Sequence, residues 1–240
     1  MKTAVINFLR IIVPRKIQTL VRFYQIFNNI YGHSNVVNGF IKSGDNQPLP
    51  WISYPAIEFL NTLDLKECDV FEYGSGSSTL YWSSKARTVT SVERDPEWYN
   101  KVKTSLPSNC VLHLNEKDRE YVERIKEGQQ KYHIIIVDGA VRFPCTEQAL
   151  ESLTDNGLII IDNSEWYPNS CSYLRDRGFI QIDFPGFGPL NAFPSATSIF
   201  YRRPDLLLKN KSVLQPMGSR KILAYDDKRF EEIERQFLNL

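Results

Sequence analysis

Nothing in the 240-residue sequence calls for an oxidising compartment, a bilayer or a polyanion. Its four cysteines, Cys68, Cys110, Cys145 and Cys171, lie far apart with no C-x-x-C pair. We therefore expect reduced thiols in a cytoplasmic protein, with neither disulfide nor zinc. The apolar run around Ile11 is broken by Arg10 and Pro14, too short for the roughly 20 residues that cross a bilayer, and no small-residue cleavage site follows it. A transmembrane anchor and a secretory leader are both unexpected. The formal net charge is +1, so the whole-molecule field points to no nucleic acid. Repeats and low-complexity tracts are lacking too.

What is present is an ordinary globular composition, 42% hydrophobic and 24% charged, long enough for one domain with a sizeable core. Three segments suggest themselves: a basic helical extension and linker over 1–47, an α/β domain over 48–203, and a tail over 204–240 that ends in a charged helix from Asp226 to Leu240. Acidic residues are missing from the first thirty positions, where Lys2, Arg10, Arg15, Lys16 and Arg22 stand among Ile6, Phe8, Leu9, Ile11, Ile12, Val13, Leu20 and Phe23. Two readings fit this basic amphipathic pattern. It packs on its own domain or a second subunit, which is the commoner use, or it lies peripherally on an anionic membrane. From Gly32 to Gly44 the polar, glycine-containing chain reads as a linker or lid.

The chain is organised around Asp69 to Asp95. Asp69–Tyr73 is a short β-prone run stopped by Gly74-Ser75-Gly76-Ser77-Ser78, where a tight turn forms and Ser77 or Ser78 caps a helix through Lys85. Glycines at 74 and 76 permit positive φ and close approach of a ligand. Thr88–Val92 is a second strand, ending on Glu93, a carboxylate placed for a ribose diol. The unit binds a nucleoside. A dinucleotide fingerprint would add a third glycine, which Gly74-Ser75-Gly76-Ser77-Ser78-Thr79 lacks, and Glu72 inside the first strand suits a ligand bearing an ammonium group.

Glu72 followed by Gly74-x-Gly76, with Glu93 after the next strand, resembles motif I and its partner acidic residue in class I S-adenosylmethionine-dependent methyltransferases. By element order the resemblance runs from about Trp51 to Tyr201. It implies a Rossmann-like, mostly parallel seven-stranded sheet with helices on both faces and an antiparallel last strand. It also implies adenosylmethionine bound by Glu72, Gly74, Ser75, Gly76, Ser77, Thr79 and Glu93, with Asn115 or Asp118 near the adenine. Asp118 equally suits the start of the charged helix that runs through Lys126.

Tyr132–Val137 is a continuous apolar run, the mark of a strand buried on both faces, ending at Asp138-Gly139. A helix over Phe143–Leu153, a turn at Asp155-Asn156-Gly157 and a strand Leu158–Ile161 bring the chain to Asp162-Asn163. Ligands bind at such strand ends. Asp138 is expected near the transferred group, and Arg142 four residues on occupies a position where related enzymes carry a catalytic Lys or His, although arginine stays protonated and is a poor base. Asp138, Asp162 and Asn163 together resemble the Mg²⁺ site of catechol-type and sugar O-methyltransferases; hard oxygen ligands suit such an ion. The plainer reading has Asp138 touching cofactor and Asp162-Asn163 ending a strand. Trp51, Tyr54, Trp166, Tyr167, Phe187 and Phe193 are candidates to border a pocket or stack on a small-molecule or saccharide acceptor. O-methyl transfer heads the expectations; a non-catalytic nucleotide-binding module and an NAD-dependent oxidoreductase are the rivals.

Overall fold

The computed structural model describes residues 14–203 and 216–219. The first part of the basic segment and the expected helix over 226–240 lie outside these.

The order of elements follows from where apolar runs alternate with capped helical segments. After α1 (Arg15–Asn29) come a two-stranded hairpin, β1 (Val36–Val37) and β2 (Phe40–Ile41), and α2 (Tyr54–Leu60). Ser53 accepts from Ala56 N at the start of α2, and Pro55 occupies its first turn, as its fixed φ allows. The sheet strands are β3 (Asp69–Tyr73), β4 (Thr88–Glu93), β5 (Cys110–Leu114), β6 (Tyr132–Val137), β7 (Leu153–Ile161), β8 (Ile180–Gly186) and β9 (Ser195–Tyr201). Between them run α3 (Ser77–Ser83), α4 (Pro96–Lys103), α5 (Asp118–Glu123), α6 (Arg142–Ser152) and α7 (Pro168–Arg175).

These seven strands form one sheet in the order β5-β4-β3-β6-β7-β9-β8. β3 to β7 pair in parallel; β9 runs antiparallel to both β7 and β8. The chain reverses direction across the sheet between β3 and β6, so the carboxyl ends of those central strands open a crevice. The fold is the Rossmann-like sheet expected from the sequence.

Alternation along each strand builds a core on both faces. Ile134 and Ile136 of β6, with Leu158 and Ile160 of β7, face Ile57, Leu60 and Trp82 of α2 and α3. Ile135 and Val137, with Ile159 and Ile161, face Tyr121, Ala149 and Leu174 from the helices of the other layer. Among the described residues no disulfide joins any of the four cysteines.

One local expectation is met inside a strand and two change. Asp155-Asn156-Gly157 makes its turn within β7: Tyr132 pairs with Leu153 and Ile134 with Leu158, so two steps of β6 oppose five of β7, and a Cβ on Gly157 would lie 2.8 Å from the Leu153 side chain. The cap of α3 is Gly76 rather than Ser77 or Ser78; with no side chain of its own to cap the helix, Gly76 donates its amide to Thr79 Oγ1 at 3.0 Å. The 32–44 segment, read as a linker or lid, folds down as the β1–β2 hairpin, where Phe40 and Ile41 are buried and Ile41 N donates to Ser77 Oγ at 2.7 Å.

Ile160 is fully buried in the middle of the first core. Ile160→Ala should lower unfolding free energy by about 2 to 5 kcal/mol, the usual cost of truncating such a residue. A urea titration that finds less than about 1 kcal/mol would contradict this packing.

Candidate active-site cleft

The strand ends of β3, β4, β6 and β7 carry the acidic residues singled out in the sequence. Glu72 sits within β3 and is 1% exposed. Its Oε2 accepts from Thr79 Oγ1 at 2.6 Å and from Ser91 Oγ at 2.9 Å, whereas Oε1 is buried without a hydrogen bond of good geometry, Ser78 being the further hydroxyl that holds the carboxyl down. Such an orphaned acceptor is costly. Burial pushes the Glu72 carboxyl up to about 7, and the hydroxyls around it oppose this only in part.

Glu93, the last residue of β4, is also buried. Its Oε1 accepts from the backbone amides of Arg94 and Asp95 at 2.7 and 3.0 Å, and Oε2 from Ser75 Oγ at 2.6 Å. Between the two carboxylates runs the glycine turn, with Gly74 at φ +103° and Gly76 at φ +149°. Both angles lie where a side chain is strained. A Cβ on Gly76 would also stand 3.3 Å from the Trp98 ring, whose Nε1 donates to Ser75 O at 2.8 Å. Gly139 is tighter still: a Cβ there would lie 1.9 Å from Tyr121 Oη and 2.9 Å from Gly74 N. The β6 turn and the glycine turn therefore touch backbone to backbone.

Two cavities open here. The smaller, about 190 Å³, is lined by Glu72, Gly74, Ser75, Ser78, Glu93, Asp138 and Gly139, among others. The larger, about 570 Å³, has Trp98, Trp51, Trp166 and Phe193 as aromatic walls, with Asp138, Arg142, Asp162, Asn163 and Asn191 as polar groups. Ser75, Ser78 and Asp138 line both, so the two form one cleft. The larger alone falls within the roughly 300–1,000 Å³ of ordinary ligand sites.

Arg142 organises the β6 and β7 ends. It pairs with Asp138 Oδ1 at 2.9 Å, donates from Nε to Gly139 O at 3.0 Å and from Nη1 to the carbonyl of Asp162, and its guanidinium lies 4.6 Å from the Tyr167 ring centre. It is a structural cation between two strand ends. Val141 and Asn163, on either side of this clamp, adopt left-handed φ of 43° and 48°, a conformation that is uncommon for asparagine and an outlier for β-branched valine. Burial and the neighbouring Asp162 raise the Asp138 carboxyl, and Arg142 opposes that rise. Burial pushes Asp162 up to about 6; its Oδ1 accepts from Thr197 Oγ1 at 2.5 Å.

The donor set for a divalent ion fits poorly. Asp138 is already paired with a guanidinium that also binds the Asp162 carbonyl, so the place beside these oxygens is taken by a cationic side chain. Among the described residues no group of three or more His, Cys, Asp or Glu side chains is placed to hold a metal.

Several expected residues stand apart from the cleft. Asp118 opens α5 and pairs with Arg94 at 2.8 Å on an exposed surface, lining neither cavity. Thr79 is consumed by Glu72 and the Gly76 amide. Tyr54 and Phe187 line a different cavity beneath α1. Missed from sequence were Trp98, Gly139, Asn191 and the β1–β2 hairpin, whose Val36, Gly39 and Ile41 form one wall of the larger cavity. Only Gly139, directly after Asp138, left a local signal.

No protein-family model matches the chain, and no curated protein does. Among solved structures, a precorrin-6y C5,15-methyltransferase from Geobacter metallireducens matches with a TM-score of 0.50 at 12% identity, covering 69% of this chain and 92% of its own. An rRNA methylase from Streptococcus thermophilus matches at 0.47 and 15% identity, over 60% of this chain and 92% of that one. The N-methyltransferase NodS from Bradyrhizobium japonicum, in complex with S-adenosyl-L-homocysteine, matches at 0.45 and 10%, over 60% and 84%. At these identities the likeness is one of fold.

The raised carboxyls fix the sign of a pH effect. Glu72 ordinarily titrates near 4.5 and in the fold near 7, so the folded state holds its proton longer than the unfolded chain. The stabilisation is complete below about pH 4.5 and is lost as pH rises through 7; Asp162 acts in the same sense between about 4 and 6. Glu72→Gln should flatten the fall in urea midpoint between pH 5 and pH 8 in the ligand-free protein. A slope equal to the parent's would contradict the burial of an ionisable Glu72.

Proposed function

We propose that this chain is an S-adenosylmethionine-dependent methyltransferase acting on a hydroxyl of a small-molecule or saccharide acceptor. The observation that carries the reading is the pair of cavities that meet at Ser75, Ser78 and Asp138. One is polar and bounded by two carboxylates, the other is walled by aromatic rings.

The residues of the smaller cavity fit the cofactor. The unpartnered Glu72 Oε1 meets the need of an ammonium group, Glu93 has lone pairs for a ribose diol beside its existing bonds, and the glycine turn leaves the floor without side chains. When bound, the cofactor supplies an electrophilic methyl on its sulfonium. Everything else falls to the chain. The aromatic walls, Trp51, Trp166 and Phe193, offer faces for a sugar or arene ring, and Asn191, held by Trp51 Nε1 at 2.7 Å, adds an amide. Asp162, raised to about 6, is ionised at neutral pH and basic enough to take a proton from an acceptor hydroxyl. Arg142 serves to hold Asp138 and the Asp162 backbone in place, so the base is Asp162 rather than the residue four positions after Asp138. The Mg²⁺ reading of Asp138, Asp162 and Asn163 is left aside, because Arg142 already supplies the local cation.

Glu93→Ala should weaken adenosylmethionine binding about ten- to a hundredfold, the worth of charge-assisted hydrogen bonds of roughly 1.5 to 3 kcal/mol. Asp162→Asn should leave that affinity within about twofold and lower turnover on a sugar and phenol panel by about a hundredfold or more, the scale of general-base catalysis. Excess EDTA should change neither quantity. Unaltered affinity in a folded Glu93→Ala protein would remove the cofactor assignment, and binding without turnover on any acceptor would favour a non-catalytic nucleotide-binding module.

A further inference from the structure

Helix α1 has no buried residue along its fifteen positions. It is fastened near its carboxyl end, where Phe27 packs edge-on against Tyr54 and Phe187 at ring separations of 5.5 and 6.0 Å. Nearby, Tyr31 Oη donates to Glu58 Oε1, which also accepts from Met217 N at 3.0 Å. Residues 216–219 therefore settle on the fastened flank, with Gly218 beside Ile26. Among the described residues nothing packs on the other flank. Ile17, Leu20, Val21 and Tyr24 are 48, 65, 49 and 66% exposed, and their spacing of three, four and seven positions sets them in one stripe.

Charge on this part of the chain is one-sided. Residues 1–44 hold six Lys or Arg and no Asp or Glu; the remaining 196 hold 23 basic against 28 acidic side chains, a net −5. The near-neutral total thus conceals a basic amino-terminal end on an acidic body. An apolar stripe on a helix whose charged side chains are all cations, paired with no carboxylate among the described residues, suits a surface that is both greasy and negative. A second copy of α1 would cover the stripe and bring no carboxylate to Arg15, Lys16 or Arg22, and a nucleic acid would leave the apolar stripe uncovered. With fifteen residues the helix is about 22 Å long, and no helix among the described residues is long and apolar enough to cross a membrane. Lying flat is the geometry left.

We propose that α1 lies on a membrane surface containing anionic lipid, with Ile17, Leu20, Val21 and Tyr24 in the acyl boundary and Arg15, Lys16 and Arg22 reaching lipid phosphates. This holds whether or not the cleft transfers methyl groups. The full chain should co-sediment with vesicles of phosphatidylcholine and phosphatidylglycerol, remain in the supernatant with phosphatidylcholine alone, and be released by high salt. The double substitution Leu20→Glu and Tyr24→Glu should cut the bound fraction about tenfold or more, since each places a charge in the acyl boundary. Thermal melting of the variant within a few degrees of the parent's would show that the fold survives; Leu20→Ser with Tyr24→Ser, less disruptive, serves if it does not. Equal binding to neutral vesicles, undiminished binding by the folded variant, or no binding at all would overturn the proposal. So would a concentration-dependent dimer in sedimentation velocity that the substitutions dissociate, because the stripe would then belong to a second copy.

Discussion

The burial of one carboxylate, Glu72, is the constraint on which the cleft depends. A carboxylate in a sheet interior must find donors or give up its charge. Here Thr79 and Ser91 supply two hydroxyls to one oxygen and leave the other bare. Thr79 can reach Glu72 only because the chain turns tightly at Gly74 and Gly76 and starts α3 there, and the same hydroxyl accepts from the Gly76 amide. The acid, the turn and the helix start are therefore one unit. Its incompleteness, a half-satisfied carboxyl with a raised pKa at the wall of a cavity, is the feature that suits it to a cationic ligand.

A second buried acidic group at the ends of β6 and β7 is handled differently. Asp138 and Asp162 face each other across adjacent parallel strands, and the repulsion is relieved by Arg142 from the start of α6. A guanidinium with several donors in a fixed plane can bind a carboxylate and two carbonyls at once, which a lysine could not. The left-handed residues Val141 and Asn163 show the backbone cost of bringing these groups together. What is obtained is a rim of the larger cavity that meets the smaller one at Asp138.

Much of this was legible in the sequence because it is local. The order of strands and helices followed from apolar runs and caps, and Glu72, Gly74, Gly76, Glu93, Asp138 and Asp162 were all marked by standing at or beside strand ends. The structure brings them around one cleft. The parts that were not legible depend on distant contacts. Trp98 reaches Ser75 from the next helix, and the β1–β2 hairpin roofs the cleft through one bond to Ser77, neither of which has a sequence period. Asp118 looked like a cofactor contact by position alone; it pairs with Arg94 on an exposed surface and lines neither cavity. Asp155-Asn156-Gly157 has every residue of a turn and makes one inside β7, where the pairing with β6 resumes only at Leu158.

The central claim is that the bare oxygen of Glu72 awaits a cation carried by an adenosyl ligand. Calorimetry of S-adenosylhomocysteine binding in buffers of different ionisation enthalpy, close to pH 7, tests it most directly. A Glu72 that titrates near 7 in the free protein must lose its proton when an ammonium group arrives, since an opposite charge favours the ionised form. The account predicts net release of a fraction of a proton on binding, abolished by Glu72→Gln. Binding with no buffer dependence, or the same proton release in the Gln variant, would contradict it.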